Sequence, residues 1–178
     1  MFAVYITKIG KLKIEYDNDA ITGITYAENE KEQGIKNELT DKTVLQLEEY
    51  FDGKRKEFDI PIKLLGTEFQ KKVWNELLKI PYGKTVSYKD ISIKIGNPNA
   101  CRAVGMANHN NPILIIVPCH RVINENKKLG GYALGLDLKR ILLEVEKENS
   151  GVEAGHSIER TGERALSKSS GMAKTALR

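Results

Sequence analysis

The first 27 residues alternate apolar and polar positions. Val4 and Ile6, then Leu12, Ile14 and Tyr16, then Ile21, Ile24 and Tyr26 recur at or near every second position, the period of strands with one buried face. Turn residues at Gly10-Lys11 and Asp17-Asn18-Asp19 separate the runs, so a three-stranded antiparallel meander is predicted. Residues 28 to 38 are polar, contain Gly34 and read as a loop. The period then changes to that of a helix over Val44, Leu47, Tyr50 and Phe51, with Thr40 or Asp41 as cap and Gly53 as stop. Phe58, Ile60 and Ile62 predict a last strand, which Pro61 assigns to an edge. Lys54-Arg55-Lys56 reads as a solvated helix end. This half shows no identifiable chemistry and is expected to be a scaffold.

The second half begins near Leu64. Thr67 and Gln70 form a capping-box pair ahead of Phe69, Val73, Trp74, Leu77 and Leu78, a helical stripe read as core rather than as a base-stacking platform. Pro81-Tyr82-Gly83 breaks that helix. Helices are predicted over Val86 to Ile95 and Ala100 to Asn108, joined by Gly96 and the turn Asn97-Pro98-Asn99. Helix, tight turn and a second helix rich in Ala and Gly make a helix-turn-helix pattern; its plain alternative is a generic helical corner. Ile113-Leu-Ile-Ile-Val117 reads as a buried strand, continued briefly by Val122-Ile123. Gly130-Gly131-Tyr132-Ala133 reads as a flexible loop. A last helix is predicted over Leu136 to Glu148, with Leu138, Ile141, Leu142 and Val145 on one face and Glu146 close enough to it to point inward. From residue 150 the periodicity stops. The expected organisation is an α/β scaffold over 1–63, a mainly helical domain over 64–149, and a disordered tail over 150–178. A weakly helical, partner-binding tail is the alternative.

Composition adds bounds. The chain has 178 residues, 40% hydrophobic and 29% charged, with a net charge of +4. These values suit a globular protein, and the charge permits nucleic-acid binding without arguing for it. The two cysteines, Cys101 and Cys119, form no disulfide framework. No targeting or membrane segment is read, so a cytoplasmic location is expected, nucleoid-associated in a prokaryote. The three histidines, His109, His120 and His156, build no paired ligand spacing with the cysteines, and no metal is expected.

The chemistry concentrates at Pro118-Cys119-His120-Arg121. A cysteine followed at once by histidine is a candidate nucleophile with a base nearby; the competing reading is a buried cysteine packing as a small hydrophobe. A free thiol is mostly protonated at neutral pH, so it needs a base. Neighbours on a strand face opposite ways, so the residues alone do not guarantee a direct Cys119–His120 contact; a bridging water could close the gap, and Glu146 could orient the imidazole.

The flanking motifs carry a resemblance. Ile80-Pro-Tyr-Gly-Lys-Thr-Val-Ser-Tyr88, Ile95-Gly-Asn-Pro-Asn-Ala-Cys-Arg-Ala-Val-Gly105, Asn110-Asn-Pro112, the Pro-Cys-His-Arg stretch, Gly130-Gly-Tyr132, Gly135-Leu136 and Leu142-Leu-Glu-Val-Glu146 stand in this order. Over residues 66 to 148 the chain resembles the O6-alkylguanine-DNA alkyltransferases, also called methylated-DNA–protein-cysteine methyltransferases; over 1 to 65 it matches them in length and pattern. The resemblance implies an α+β fold, with an RNase H-like N-terminal sheet and helix followed by a winged helix-turn-helix-type domain. It implies a DNA-repair protein that moves the alkyl group of O6-alkylguanine, less well O4-alkylthymine, from a flipped-out base to its own Cys119 in one irreversible turnover.

In that reading His120 is the base through water and Glu146 its partner. Tyr88, Asn97, Arg102, Ala103 and Gly105 bind DNA and flip the nucleotide, Arg102 filling the vacated place and Tyr88 crowding the phosphate. Asn111 is the hinge. Val117, Arg121, Tyr132, Ala133, Leu134 and Gly135 complete the base pocket, Arg121 through structural hydrogen bonds. Leu134 is larger than the residue common there, which bears on tolerance for bulky alkyl groups. Cys101 has no catalytic part. No cofactor is called for. The partner is double-stranded DNA with alkylated bases, without membrane or obligate protein partner, and the protein is expected to be monomeric. Some family members hold a structural zinc in the first domain; this chain has no Cys or His before residue 101, so that site should be missing. The alternatives are an alkyltransferase-like lesion binder, a helix-turn-helix regulator without transfer, and an unrelated Cys-His hydrolase that would need an oxyanion hole.

Overall fold

The computed structural model describes residues 1–132 and 135–151. Strands β1 (Phe2–Thr7), β2 (Gly10–Tyr16) and β3 (Ile21–Tyr26) form the expected antiparallel meander in that order. Thr7 pairs with Gly10, so the first hairpin turns at Lys8-Ile9 rather than at Gly10-Lys11. Gly10 belongs to the strand, with φ +120°, and a Cβ there would lie 2.8 Å from the Tyr26 ring; glycine is what lets that ring close over the hairpin. Ile6, expected in the core, sits beside the turn and is 88% exposed.

Helix α1 (Glu38–Phe51) starts earlier than predicted. Asn37, not Thr40 or Asp41, is the cap; its side chain accepts from the Thr40 N–H, and the Thr40 hydroxyl accepts from the Asn37 N–H, closing a capping box. The strand expected over 58–62 is not one. Only Ile62 pairs, in a lone parallel bridge with Ile21: the Ile21 N–H donates to Pro61 O and the Lys63 N–H to Ile21 O. Proline cannot donate, so this contact uses its carbonyl alone.

In the second half, α2 (Glu68–Leu77) begins with the predicted Thr67–Gln70 box. Buried Trp74 donates its ring N–H to Ala107 O at 2.8 Å and ties α2 to α4. Val86–Ser87 form a two-residue strand, β4, before α3 (Tyr88–Lys94), which Ser87 caps. Gly96, at φ +76°, makes the corner to α4 (Cys101–His109). β4 pairs in parallel with β5 (Val122–Ile123). The last helix, α5 (Leu136–Asn149), buries Leu138, Lys139, Leu142 and Glu146, while Ile141 of the predicted face is half exposed.

A second bridge joins the halves. The Ile24 N–H donates to Pro112 O at 2.8 Å and the Leu114 N–H to Ile24 O at 3.2 Å. One continuous cluster of buried side chains runs from Ala3 through Trp74 to Leu142. Among the described residues no helix is long and apolar enough to cross a membrane.

Candidate active site

The apolar run before Cys119 is buried as expected, but it is not a strand. Ile113 to Val117 fold into a tight turn: the Ile116 N–H donates to Leu114 O and the Val117 N–H to Ile113 O. Ile115 takes φ +73°, a conformation rare for a β-branched side chain and worth about 1–3 kcal/mol of strain. Asn111 holds the turn shut. Its Oδ1 accepts from the Ile113 N–H at 3.0 Å, and its Nδ2 donates to Val117 O at 2.8 Å and to Cys119 Sγ at 3.0 Å. The expected hinge residue therefore touches the sulfur itself. Cys119, His120 and Arg121 follow as a single 3-10 turn. Cys119 and His120 therefore do not alternate faces as strand neighbours would, yet they make no direct side-chain hydrogen bond with each other.

His120 and Glu146 meet as expected, and more groups join them. Glu146 Oε1 lies 2.7 Å from His120 Nε2 and accepts from the Tyr50 hydroxyl at 2.6 Å. The Arg121 guanidinium donates to both carboxylate oxygens at 2.8–3.0 Å, and the Gly83 N–H donates to Oε2 at 2.9 Å. Arg121 also donates to Ile80 O at 2.6 Å, fastening the Pro81-Tyr82-Gly83 corner to α5. Burial alone would raise the Glu146 carboxyl, but hydrogen bonds from His120 and Arg121 outweigh it and hold it at about 2. Burial pushes the His120 imidazole down against the pull of Glu146. The resting pair is therefore an ionised carboxylate and a neutral imidazole, with Arg121 supplying the balancing charge. A carboxylate can only accept, so His120 Nε2 carries the ring hydrogen. Nδ1 is then the basic nitrogen, and it is buried without a protein partner.

Burial also raises the Cys119 thiol, opposed first by the Asn111 amide and then by the charge of Lys139. Lys139 is fully buried and donates to carbonyls, to Val122 O at 2.6 Å, to Gly131 O at 3.4 Å and to Leu129 O, with the Tyr132 ring centroid 6.0 Å from its ammonium. Desolvation brings it down to about 8.

A cavity of about 240 Å³ opens over Cys119, walled by Gly105, Asn108 and His109 of α4 and by Tyr88, Gly131 and Tyr132. Among the described residues, the buried side-chain polar atoms without a partner are both amide atoms of Asn108, the Tyr132 hydroxyl and His120 Nδ1. All belong to residues lining this cavity or adjoining Cys119. Tyr88 lies between this cavity and a shallower groove lined by Lys89, Cys101, Arg102 and Gly105. Arg102 and Ala103 are exposed on α4, and Asn97 is exposed in the turn before it. Gly105 faces Tyr88, its nearest side-chain contact for an added Cβ being 3.9 Å away. Val117 is buried beneath Cys119, and Gly135 caps α5 at φ +86°. Ala133, Leu134 and residues 152–178 of the tail expected over 150–178 lie outside the described residues.

Two family models match this architecture. Residues 1–64 match the ribonuclease-like domain of 6-O-methylguanine DNA methyltransferase, and residues 68–148 match the DNA binding domain of the same family. The chain belongs to the 6-O-methylguanine DNA methyltransferase family. A methylated-DNA–protein-cysteine methyltransferase of Methanosarcina acetivorans is 46% identical over 151 residues, 82% of this chain and 97% of that one. A probable methylated-DNA–protein-cysteine methyltransferase of Acanthamoeba polyphaga mimivirus is 45% identical over 147 residues, 81% and 95% of the two chains. The crystal structure of Mycobacterium tuberculosis OGT in complex with DNA superposes with a TM-score of 0.77 at 43% identity, covering 83% of this chain and 93% of that chain. In this methyltransferase, sequence reasoning missed Tyr50, Gly83, Asn108 and Lys139. Lys139 had a signal, since it shares the α5 face of Leu142 and Glu146 at spacings of three and seven residues. Tyr50 had none, because its place in the helical stripe is that of any core aromatic.

Proposed function

We propose that Cys119 is the alkyl acceptor and that His120 Nδ1, with Glu146 behind it, takes the thiol proton through a bridging water. The chain is a DNA-repair protein of the alkyl-transfer class; the finer claims concern which residues act and on which bases. Duplex DNA would approach α4, whose first turn carries no acid and no side-chain cap, so its N–H groups and Arg102 suit phosphate or a vacated base position. The O6 atom of alkylguanine lies inside the stack, so the nucleotide must turn out into the cavity over Cys119, at a cost of a few kcal/mol. Sulfur then attacks the alkyl carbon. The S–C bond forms, the C–O6 bond breaks and its electron pair stays on the base; the resulting guanine anion takes up one proton, matching the one the thiol gave up. The thioether offers no leaving group for hydrolysis, so each molecule acts once. O4-alkylthymine presents the same reacting group with fewer polar edges and is assigned as the poorer substrate. The domain division near residue 64, monomeric action and a cytoplasmic, nucleoid-associated location belong to this proposal.

The observation that carries it is the sulfur itself, held by Asn111 at the wall of a cavity beside a histidine whose free nitrogen is its basic one. An intact cysteine argues against a lesion binder that performs no transfer. The test is intact-protein mass spectrometry after mixing with duplex DNA containing O6-methylguanine. One added methyl on Cys119 is expected, and none in Cys119→Ser. A methyl on another residue, or repair of more lesions than protein molecules, overturns the reading.

A further inference from the structure

We infer that Tyr50, carried by α1 in the first half of the chain, is a positioning residue of the Cys119 relay, its hydroxyl clamping Glu146 and His120 so that the imidazole presents a bare Nδ1. The inference rests on the proposed role of Cys119 and adds to it a residue from the half that looks like a scaffold.

Tyr50 is fully buried, and its hydroxyl lies 2.6 Å from Glu146 Oε1 and 3.2 Å from His120 Nε2. It has one hydrogen to give. Glu146 can only accept, so the hydroxyl donates to Oε1. His120 Nε2, 2.7 Å from the same oxygen, then carries its own hydrogen, and the Tyr50 oxygen is a second acceptor for it. One N–H is held by two acceptors, a carboxylate and a phenol. The other tautomer would set the Nε2 lone pair against the lone pairs of Glu146. Burial and the nearby carboxylate push the Tyr50 hydroxyl far above its ordinary value, so it donates at any working pH. The ring is held by aromatic neighbours on three sides: Phe58 at 5.4 Å, Phe51 at 5.8 Å and Tyr82 at 6.0 Å between centroids. The charged and titratable groups around the imidazole are Glu146 and Lys139 from α5, Cys119 and Arg121 from its own turn, and Tyr50 from α1; Tyr82 faces the phenol. Among the described residues, Tyr50 is the one group of this set that the first half supplies.

Tyr50→Phe removes one oxygen and keeps the ring and its packing. Glu146 Oε1 then has one donor fewer, its charge is less dispersed, and the charged imidazolium is favoured. In single-turnover transfer from O6-methylguanine duplex, the acid limb of the rate profile is expected to move to higher pH. The rate above that limb should fall roughly 10-fold as the ring loses its second anchor. In the DNA-free protein, 15N resonances of the His120 ring should show hydrogen on Nε2 in the parent and a mixture of tautomers in the variant. An unmoved acid limb with an unchanged tautomer overturns the proposal, even if urea unfolding shows lower stability, because that pattern is packing alone. If the parent chain takes no methyl on Cys119, the functional reading fails, and the DNA-free titration and tautomer of His120 still decide the role of Tyr50.

Discussion

Replacing Glu146 by Gln tests the centre of the network. The side chain is fully buried and accepts from Tyr50, His120, Arg121 and Gly83. Gln has nearly the same shape but no charge. Whichever way its amide turns, the NH2 group faces donors: Tyr50, His120 and Arg121 on one side, Gly83 and Arg121 on the other. The Arg121 guanidinium also loses its ion-pair partner among the described residues, and breaking a buried pair from one side costs about 3–5 kcal/mol. Proton linkage gives an independent figure. The carboxyl stands at about 2 instead of its ordinary 4.5; at roughly 1.4 kcal/mol per pH unit that difference is worth about 3 kcal/mol. A depressed carboxyl stabilises fully above its unfolded value and loses that stabilisation as pH falls through its folded value, so the window runs from about 4.5 down to about 2. Urea unfolding at pH 7 should therefore show Glu146→Gln less stable by about 3 kcal/mol with an unchanged m value, and the deficit should shrink to less than half by pH 3. A deficit below about 1 kcal/mol at pH 7, or one equally large at pH 3, would refute the account of Glu146 as an ionised hub.

Two further substitutions probe the sulfur and its wall. Asn111→Ala removes the amide that donates to Cys119 Sγ and closes the 113–117 turn. The thiol, already raised by burial, should rise further, so methyl transfer should slow by about 10-fold near neutrality and recover partly at alkaline pH; an unchanged rate–pH profile would count against a hydrogen bond to the reacting sulfur. Lys139→Met keeps the buried stem and removes the ammonium. The folded protein holds Lys139 at about 8 rather than 10.5, so it binds fewer protons than the unfolded chain between those values. The parent should gain stability, on the order of 3 kcal/mol, as pH rises through that interval. The variant should lack that rise when the two melting curves are compared from pH 7.5 to 10, and parallel curves would show that burial does not lower the Lys139 ammonium.

What the sequence made legible follows from the range over which each feature is determined. The box at Thr67–Gln70 is closed by residues three apart, so the start of α2 can be read locally; the helix expected from Val86 starts at Tyr88 instead, because Val86 and Ser87 pair with Val122 and Ile123 from far along the chain. Asn37 and Thr40 are both good caps by residue type; the choice between them depends on Thr40 turning back to the Asn37 N–H, which the residue types permit in either direction. The Ile113–Val117 run carries every local sign of a strand. Its turn is imposed from outside, by the Asn111 side chain across one side and the Ile24 backbone across the other, and those contacts stabilise a positive φ at Ile115 that no local preference supports.

The same distinction explains the site. Cys119, His120 and Arg121 are adjacent in sequence and could be found by reading, and Glu146 betrayed itself as a carboxylate on an apolar helix face. Tyr50 stands 70 residues from His120 and 96 from Glu146. A phenol that packs its ring and aims only its oxygen into a polar network leaves the periodicity of a core residue intact, because the ring does satisfy that periodicity. The division of labour between the halves therefore cannot be drawn from motif density. The second half holds the motifs because its reacting groups sit on one short turn and the helices around it, whereas the first half contributes the Ile24 backbone that braces the turn and the Tyr50 oxygen that joins the network. Removing that oxygen is expected to act on His120 and Glu146 from a position that no motif marks.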